Sequence, residues 1–147
     1  MKFQRGQSIV EFAIIMPLFL LFIFGIIYTG FAFSDYLMLN HTVRSVAHEA
    51  SLADTEDEYP NIIINNTQYA VLKSDLYKWE PDRTTGTNNK YLTIKHDNTR
   101  HEVIVTATAT YNTSQSYIAR LLNGFSSSYT ADAITMEYIM YSPDKDN

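Results

Sequence analysis

An uncharged apolar run over residues 12–33 constrains this chain more than any other feature. A helix of that length spans about 33 Å at about 1.5 Å per residue, enough to cross a bilayer core of about 30 Å. Two basic residues, Lys2 and Arg5, lie ahead of it, and one carboxylate, Glu11, abuts its start. Drawing an unpaired acid to the bilayer centre costs about 2.5–3.5 kcal/mol. Glu11 therefore either lies at the headgroup level or has a partner, such as an amine on a neighbouring subunit. The positive charge ahead of the span predicts a cytoplasmic amino terminus and an exported carboxyl-terminal part.

The chain has 147 residues, a net charge of −5 and no cysteine. That leaves room for one small domain of about 100 residues beyond the span. An acidic balance argues against a nucleic-acid partner held by phosphate contacts. Without cysteine there is no disulfide framework and no thiol nucleophile, and the usual zinc ligands are missing. A secretory signal is an alternative reading of the amino terminus, with Gly30-Phe31-Ala32 as a small-x-small cleavage site. The apolar run is longer than the usual hydrophobic region of such signals, about 7–15 residues, and Glu11 interrupts its start.

Pro17 sits in the first third of the run, removes one backbone donor and predicts a kink or local loosening. Gly25 and Gly30 are small sites for the approach of another helix, five residues apart. Beyond the span, Leu39, Val43, Val46, Ala47 and Ala50 recur at 3–4 spacing, with polar residues between them. No Pro or Gly interrupts residues 31–53, so one helix is expected from Ser8 to about Ala53, its outer half carrying an amphipathic stripe that packs on the domain.

Asp54, Glu56, Asp57 and Glu58, followed by Pro60, read as an acidic loop. Alternating oxygens at Asp54, Glu56 and Glu58 raise the question of calcium, but the glycine of a calcium loop is missing. Ile62-Ile63-Ile64 favours a short strand. Tyr69, Leu72 and Leu76 predict a helix over residues 66–77, and residues 80–90 a loop. Residues 91–96 and 101–111 read as a hairpin across Asp97-Asn98-Thr99-Arg100, with Val103, Val105, Ala107, Ala109 and Tyr111 on one face. A short helix is expected over 114–123 and a third strand over 128–141, with Ile134, Met136, Tyr138 and Met140 on one face. The charged tail follows Pro143. The fold class is thus α+β: a long amino-terminal transmembrane helix continues into a small domain of about three antiparallel strands and short helices. The stalk stripe and the Tyr69/Leu72/Leu76 face cover the sheet.

Few residues point to chemistry. His41 and His48 lie seven apart without a His-Glu-x-x-His motif. His96 and His101 flank the hairpin turn, could oppose each other across it, and read as exposed; two imidazoles make a poor metal site. No nucleophile elbow, phosphate loop or acid–base pair stands out, so the expectation is a non-enzyme without metal or cofactor. The 11 tyrosines serve core packing or supply adhesive contact area with a polar tip.

Gly6, Glu11-Phe12 and Pro17 within the apolar run resemble the start of a class III (type IV-like) prepilin. More closely, Gln7-Ser8-Ile9-Val10-Glu11-Phe12-Ala13-Ile14-Ile15-Met16-Pro17-Leu18 resembles TadE-like minor pilins or pseudopilins of tight-adherence (Flp) pilus systems. Gly25-Ile26-Ile27 and Asn40-His41-Thr42-Val43-Arg44 fit as well. The sequence departs from the family pattern at Tyr28-Thr29, where no acid precedes Gly30, and at Ser45-Val46-Ala47-His48. The resemblance implies a leader of residues 1–6, cut by a prepilin peptidase between Gly6 and Gln7, then a helix over 7–53 and an extracytoplasmic domain over 54–147. It implies assembly roles for Glu11, Phe12 and Pro17, with the new amine of Gln7 pairing with a neighbour's glutamate. Its implied partners are the peptidase, other pilin subunits, the pilus assembly platform and membrane lipid. Its implied place is the cytoplasmic (inner) membrane, single-pass, or a surface pilus. An anchored extracellular binding module with an uncleaved amino terminus is the rival reading.

Overall fold

The computed structural model describes residues 3–112, 116, 120 and 133–143, with side chains from Ser8 onward. The expected helix over 114–123, the start of the last strand and the charged tail lie wholly or largely outside the described residues.

One helix dominates. α1 (Phe3–Leu52) runs for 50 residues, about 75 Å at about 1.5 Å per residue. Pro17 is inside it and the helix continues through that position. Proline takes one N–H from the ladder there. The outer part of α1 behaves as its periodicity predicts: Leu39, Val43, Val46, Ala47 and Ala50 are all buried. The two alanines on this stripe let the helix approach the sheet closely, since close packing leaves no room for larger groups at such contacts.

The acidic segment after α1 tightens into a 3-10 turn (Glu56–Glu58) that leads directly into α2 (Tyr59–Thr67). This corrects two expectations. The Ile62-Ile63-Ile64 run is helical, not a strand, and the helix expected over 66–77 is absent. Tertiary burial overrides the β preference of the isoleucines. Tyr59, Ile62, Ile63 and Thr67 form one buried face at helical spacing, and Pro60 occupies the first turn, where its missing N–H costs nothing. After Thr67 the chain runs without helix through residues 70–76, and Tyr69 is 86% exposed, so the Tyr69/Leu72/Leu76 face does not form the sheet cover.

Among the described residues four strands follow: β1 (Tyr77–Lys78), β2 (Leu92–Asp97), β3 (Glu102–Tyr111) and β4 (Ile134–Tyr141). β3 is the common partner, antiparallel to the other three. Leu92 faces Ala107, Glu102 faces Tyr141, and Tyr77 faces Tyr111. The expected alternation holds, with Val103, Val105, Ala107 and Ala109 buried. The Asp97 carboxylate accepts the amides of Thr99 (2.9 Å) and Arg100 (3.2 Å), and His101 takes a left-handed φ of 54° to close the turn.

The main core joins Val43, Val46, Ala47 and Ala50 of α1 to Tyr59, Ile62 and Ile63 of α2 and to Leu92, Ile94, Val103, Val105 and Ala107 of the sheet. A second cluster, nearer the apolar half of α1, gathers Leu39, Ala70, Trp79, Tyr91 and Ala109. The far end closes where Ser142 donates its N–H to the His101 carbonyl (2.8 Å) and its hydroxyl to the Ser51 carbonyl (3.3 Å).

Candidate functional site

The amino-terminal half of α1 is mostly exposed. Its most apolar 18-residue window has a mean hydropathy of 2.6 and none of it is buried. Phe12, Leu18, Leu21 and Phe22 are each at least 64% exposed. In water so large an apolar surface would drive association; it suits a bilayer or a bundle of like helices. Gly6 and Gln7 lie in the first turns of this helix, and Glu11 is exposed one turn further on, with Phe12 beside it and Pro17 five residues beyond. Helix geometry thus brings Gly6, Gln7 and Glu11 into one short segment.

A shallow apolar groove opens further along α1, lined by Leu21, Phe22, Gly25, Ile26 and Thr29. A Cβ added at Gly25 would meet nothing within 4 Å, so the notch is open. Its small positions are Gly25 and Thr29, four apart, rather than Gly25 and Gly30. Thr29 returns its hydroxyl to the Gly25 carbonyl (2.8 Å), which hides its polar group from an apolar surrounding.

The junction between this helix and the domain is built on a carboxylate. Asp35 is 3% exposed. One of its oxygens accepts the Lys73 amide (2.6 Å) and the other the Ser74 amide (2.7 Å). Two turns earlier on the same face, the Tyr28 hydroxyl donates to the Asp75 carboxylate (3.1 Å). Asn112 secures the other side, donating its side-chain amide to the Asp75 carbonyl (3.1 Å) and its backbone amide to the Leu76 carbonyl (2.9 Å). Residues 73–76 have no helix or strand to satisfy their backbone. Asp35 takes that place for two of the amides.

Arg83 braces the same loop from above. It donates to the carbonyls of Thr67 (3.0 Å) and Ala70 (2.8 Å), and so caps the carboxyl end of α2 with a cation, while its guanidinium stands 5.8 Å from the Trp79 ring centre. Trp79 in turn donates its indole N–H to the Tyr91 carbonyl (2.9 Å). Below it, Thr85 and Thr84 hydrogen bond Asp82 and hold its carboxyl well below the usual carboxylate range.

The candidate histidines do not form a site. His96 pairs with Val103 across the hairpin and not with His101, and its side chain is fully buried, against the expectation of an exposed turn residue. Among the described residues neither ring nitrogen has a hydrogen-bond partner; the Glu56 carboxylate stands 3.8 Å from Nδ1. The Tyr59 hydroxyl is also buried without a partner among the described residues, and burial, with the Glu56 charge adding, pushes its pKa up to about 12.

Asp35 and Arg83 were not singled out by their sequence context. Asp35 had a readable signal: it lies four residues before Leu39 on the stripe that continues through Val43 and Val46. An acid on a buried helical face needs a partner. Arg83, in a loop, had none.

A family model described as TadE-like protein matches residues 6–48, which takes in Gly6, Gln7, Glu11, Phe12, Pro17, Tyr28 and Asp35 and ends before α2 and the sheet. No curated protein and no solved structure matches the chain.

Proposed function

We propose that this chain, TadE-like over residues 6–48, is the precursor of a minor pilin or pseudopilin that takes part in assembling a tight-adherence pilus. The observation that carries this reading is the coincidence of the family match with a membrane-length helix that the domain leaves bare. A helix so apolar and so exposed needs lipid first and neighbouring helices later.

On this reading residues 1–6 are a leader and a prepilin peptidase cuts between Gly6 and Gln7. Both residues lie within α1, so the first turns must open for cleavage, which glycine eases because it stabilises helix least among non-proline residues. The freed amine of Gln7 then meets a neighbour's Glu11. Pairing removes the cost of carrying Glu11 beside lipid. Phe12 and the Pro17 region pack against adjacent helices, and no catalytic step is involved. The subunit waits in the inner membrane with its amino terminus in the cytoplasm and the domain outside, the leader's Lys2 and Arg5 setting that orientation.

The test is intact mass of the membrane-extracted chain, with and without the cognate prepilin peptidase. Peptidase-dependent loss of residues 1–6, prevented by Gly6→Ala, is expected. Glu11→Ala should give a cleaved subunit that fails to assemble. An unprocessed chain in both samples points instead to an anchored binding module, and a chain starting at Phe33 to a secreted domain.

A further inference from the structure

We propose that the domain sits directly on the bilayer, with the loop around residues 71–75 lying in the outer headgroup layer beside α1. This rests on the membrane-anchor part of the reading above. The loop is pinned at two heights along α1: Lys73 and Ser74 at Asp35, and Asp75 at Tyr28. Those two helix positions are about 10 Å apart along the axis.

The length of the bare apolar segment decides where those heights fall. Between Glu11 and Tyr28 only residues 12–27 are available, about 24 Å of helix against a hydrocarbon core of about 30 Å. With Glu11 at the inner boundary, the outer boundary falls near Phe31; with Ser8 there, it falls near Tyr28. Headgroups extend about 5–7 Å beyond on each side. The first placement puts Lys73 and Ser74 about 6 Å past the acyl boundary, among the headgroups, with Asp75 about 4.5 Å inside that boundary; the second puts Asp75 at the boundary and Lys73 and Ser74 about 10 Å past it, just beyond the headgroups. A domain held clear of the surface would require the Tyr28 and Asp35 contacts to break.

The exposed chemistry at this height fits the same medium. Val71 is 62% exposed and Lys73 is exposed. On α1, Phe31, Phe33, Tyr36 and Leu37 are between 47% and 60% exposed. Aromatic residues favour the membrane–water boundary, and a lysine there reaches its amine to phosphate along an apolar stem. The buried acid of the junction, Asp35, is already satisfied by two amides, and the exposed Asp75 accepts from Tyr28.

The chain has no cysteine, so single labels are clean. Val71→Cys and Lys73→Cys carry nitroxides in the full chain, reconstituted in vesicles of phosphatidylethanolamine and phosphatidylglycerol. Phe19→Cys reports the span and Asn98→Cys, in the hairpin turn, reports water. Collision rates with oxygen and with a water-soluble nickel chelate give depth. The expected result is a several-fold loss of nickel collisions at 71 and 73 relative to 98, with oxygen access retained and a depth between those of 19 and 98. Labels at 71 and 73 as open to nickel as the one at 98 overturn the seating; if 19 is still deep, the anchor stands. Labels shielded from both reagents mean that a protein neighbour covers the loop, which also overturns it. Nickel access at 19 removes the anchor itself, and the seating with it.

Discussion

Removing the Asp35 carboxylate should detach the 70–76 loop from α1 and destabilise the domain. Asp35 accepts two backbone amides at 2.6 and 2.7 Å in a buried site. A hydrogen bond to a charged group contributes about 1.5–3 kcal/mol, and a buried donor left without an acceptor costs its desolvation instead. Asp35→Ala strands both amides and should cost about 3–5 kcal/mol, a large share of the roughly 5–15 kcal/mol that holds a small domain. Asp35→Asn keeps one acceptor oxygen but turns an NH2 toward the other amide, so about half that loss is expected. Urea unfolding in detergent micelles reads this well. Trp79 is buried in the cluster with Leu39 and Ala70, next to the loop, so its fluorescence follows the domain while the apolar part of α1 stays in the micelle. At a urea dependence of about 1–3 kcal/mol per molar, Asp35→Ala should lower the midpoint by about 2 M. Hydrogen exchange at the Lys73 and Ser74 amides should accelerate in step. A loss under about 0.5 kcal/mol, the range of an ordinary surface change, with exchange at Ser74 unaltered, would refute the clamp.

Gly86 adopts a φ of 66°, and a Cβ added there would run into the Pro60 carbonyl at the start of α2; Gly86→Ala should therefore cost about 3 kcal/mol or more in the same urea titration. Tyr59 has its pKa raised from 10.0 to about 12 in the fold, so folding favours the neutral phenol: its contribution is intact below pH 10 and is lost as pH rises toward 12. Tyr59→Phe removes a hydroxyl that makes no hydrogen bond, and should leave stability at pH 7 within about 0.5 kcal/mol while flattening the alkaline loss. Equal alkaline slopes for the two proteins would discount the tyrosine.

Local pattern was enough for the elements whose signal is periodic and long. The apolar run and the Leu39–Val43–Val46 stripe specified α1 almost to its last residue, because 3.6-residue periodicity over many turns has no competing reading. The hairpin followed from two alternating runs about a four-residue turn headed by Asp97. The segment over 59–76 misled for a definite reason. Three consecutive isoleucines favour a strand locally, while the face that α2 buries is set by Tyr59 and Thr67 outside that triplet. Tyr69, Leu72 and Leu76 mimic a helix period, yet the backbone between them, at Ala70, Lys73 and Asp75, is held by Arg83, Asp35 and Asn112, which are distant in sequence.

The same division applies to the candidate site. Gly6, Gln7, Glu11, Phe12 and Pro17 can be proposed from the sequence because the roles proposed for them depend on order along one helix, and order is what a sequence records. By itself the sequence determined that a long bare helix carries a small α+β domain. Tertiary structure alone decided how the two are joined. Only folding brings residues 35 and 73–74, or 28 and 75, within hydrogen-bond distance. Whether a lone acid such as Asp35 sits in solvent or under a loop depends on which distant backbone amides need an acceptor, and no local pattern encodes that need.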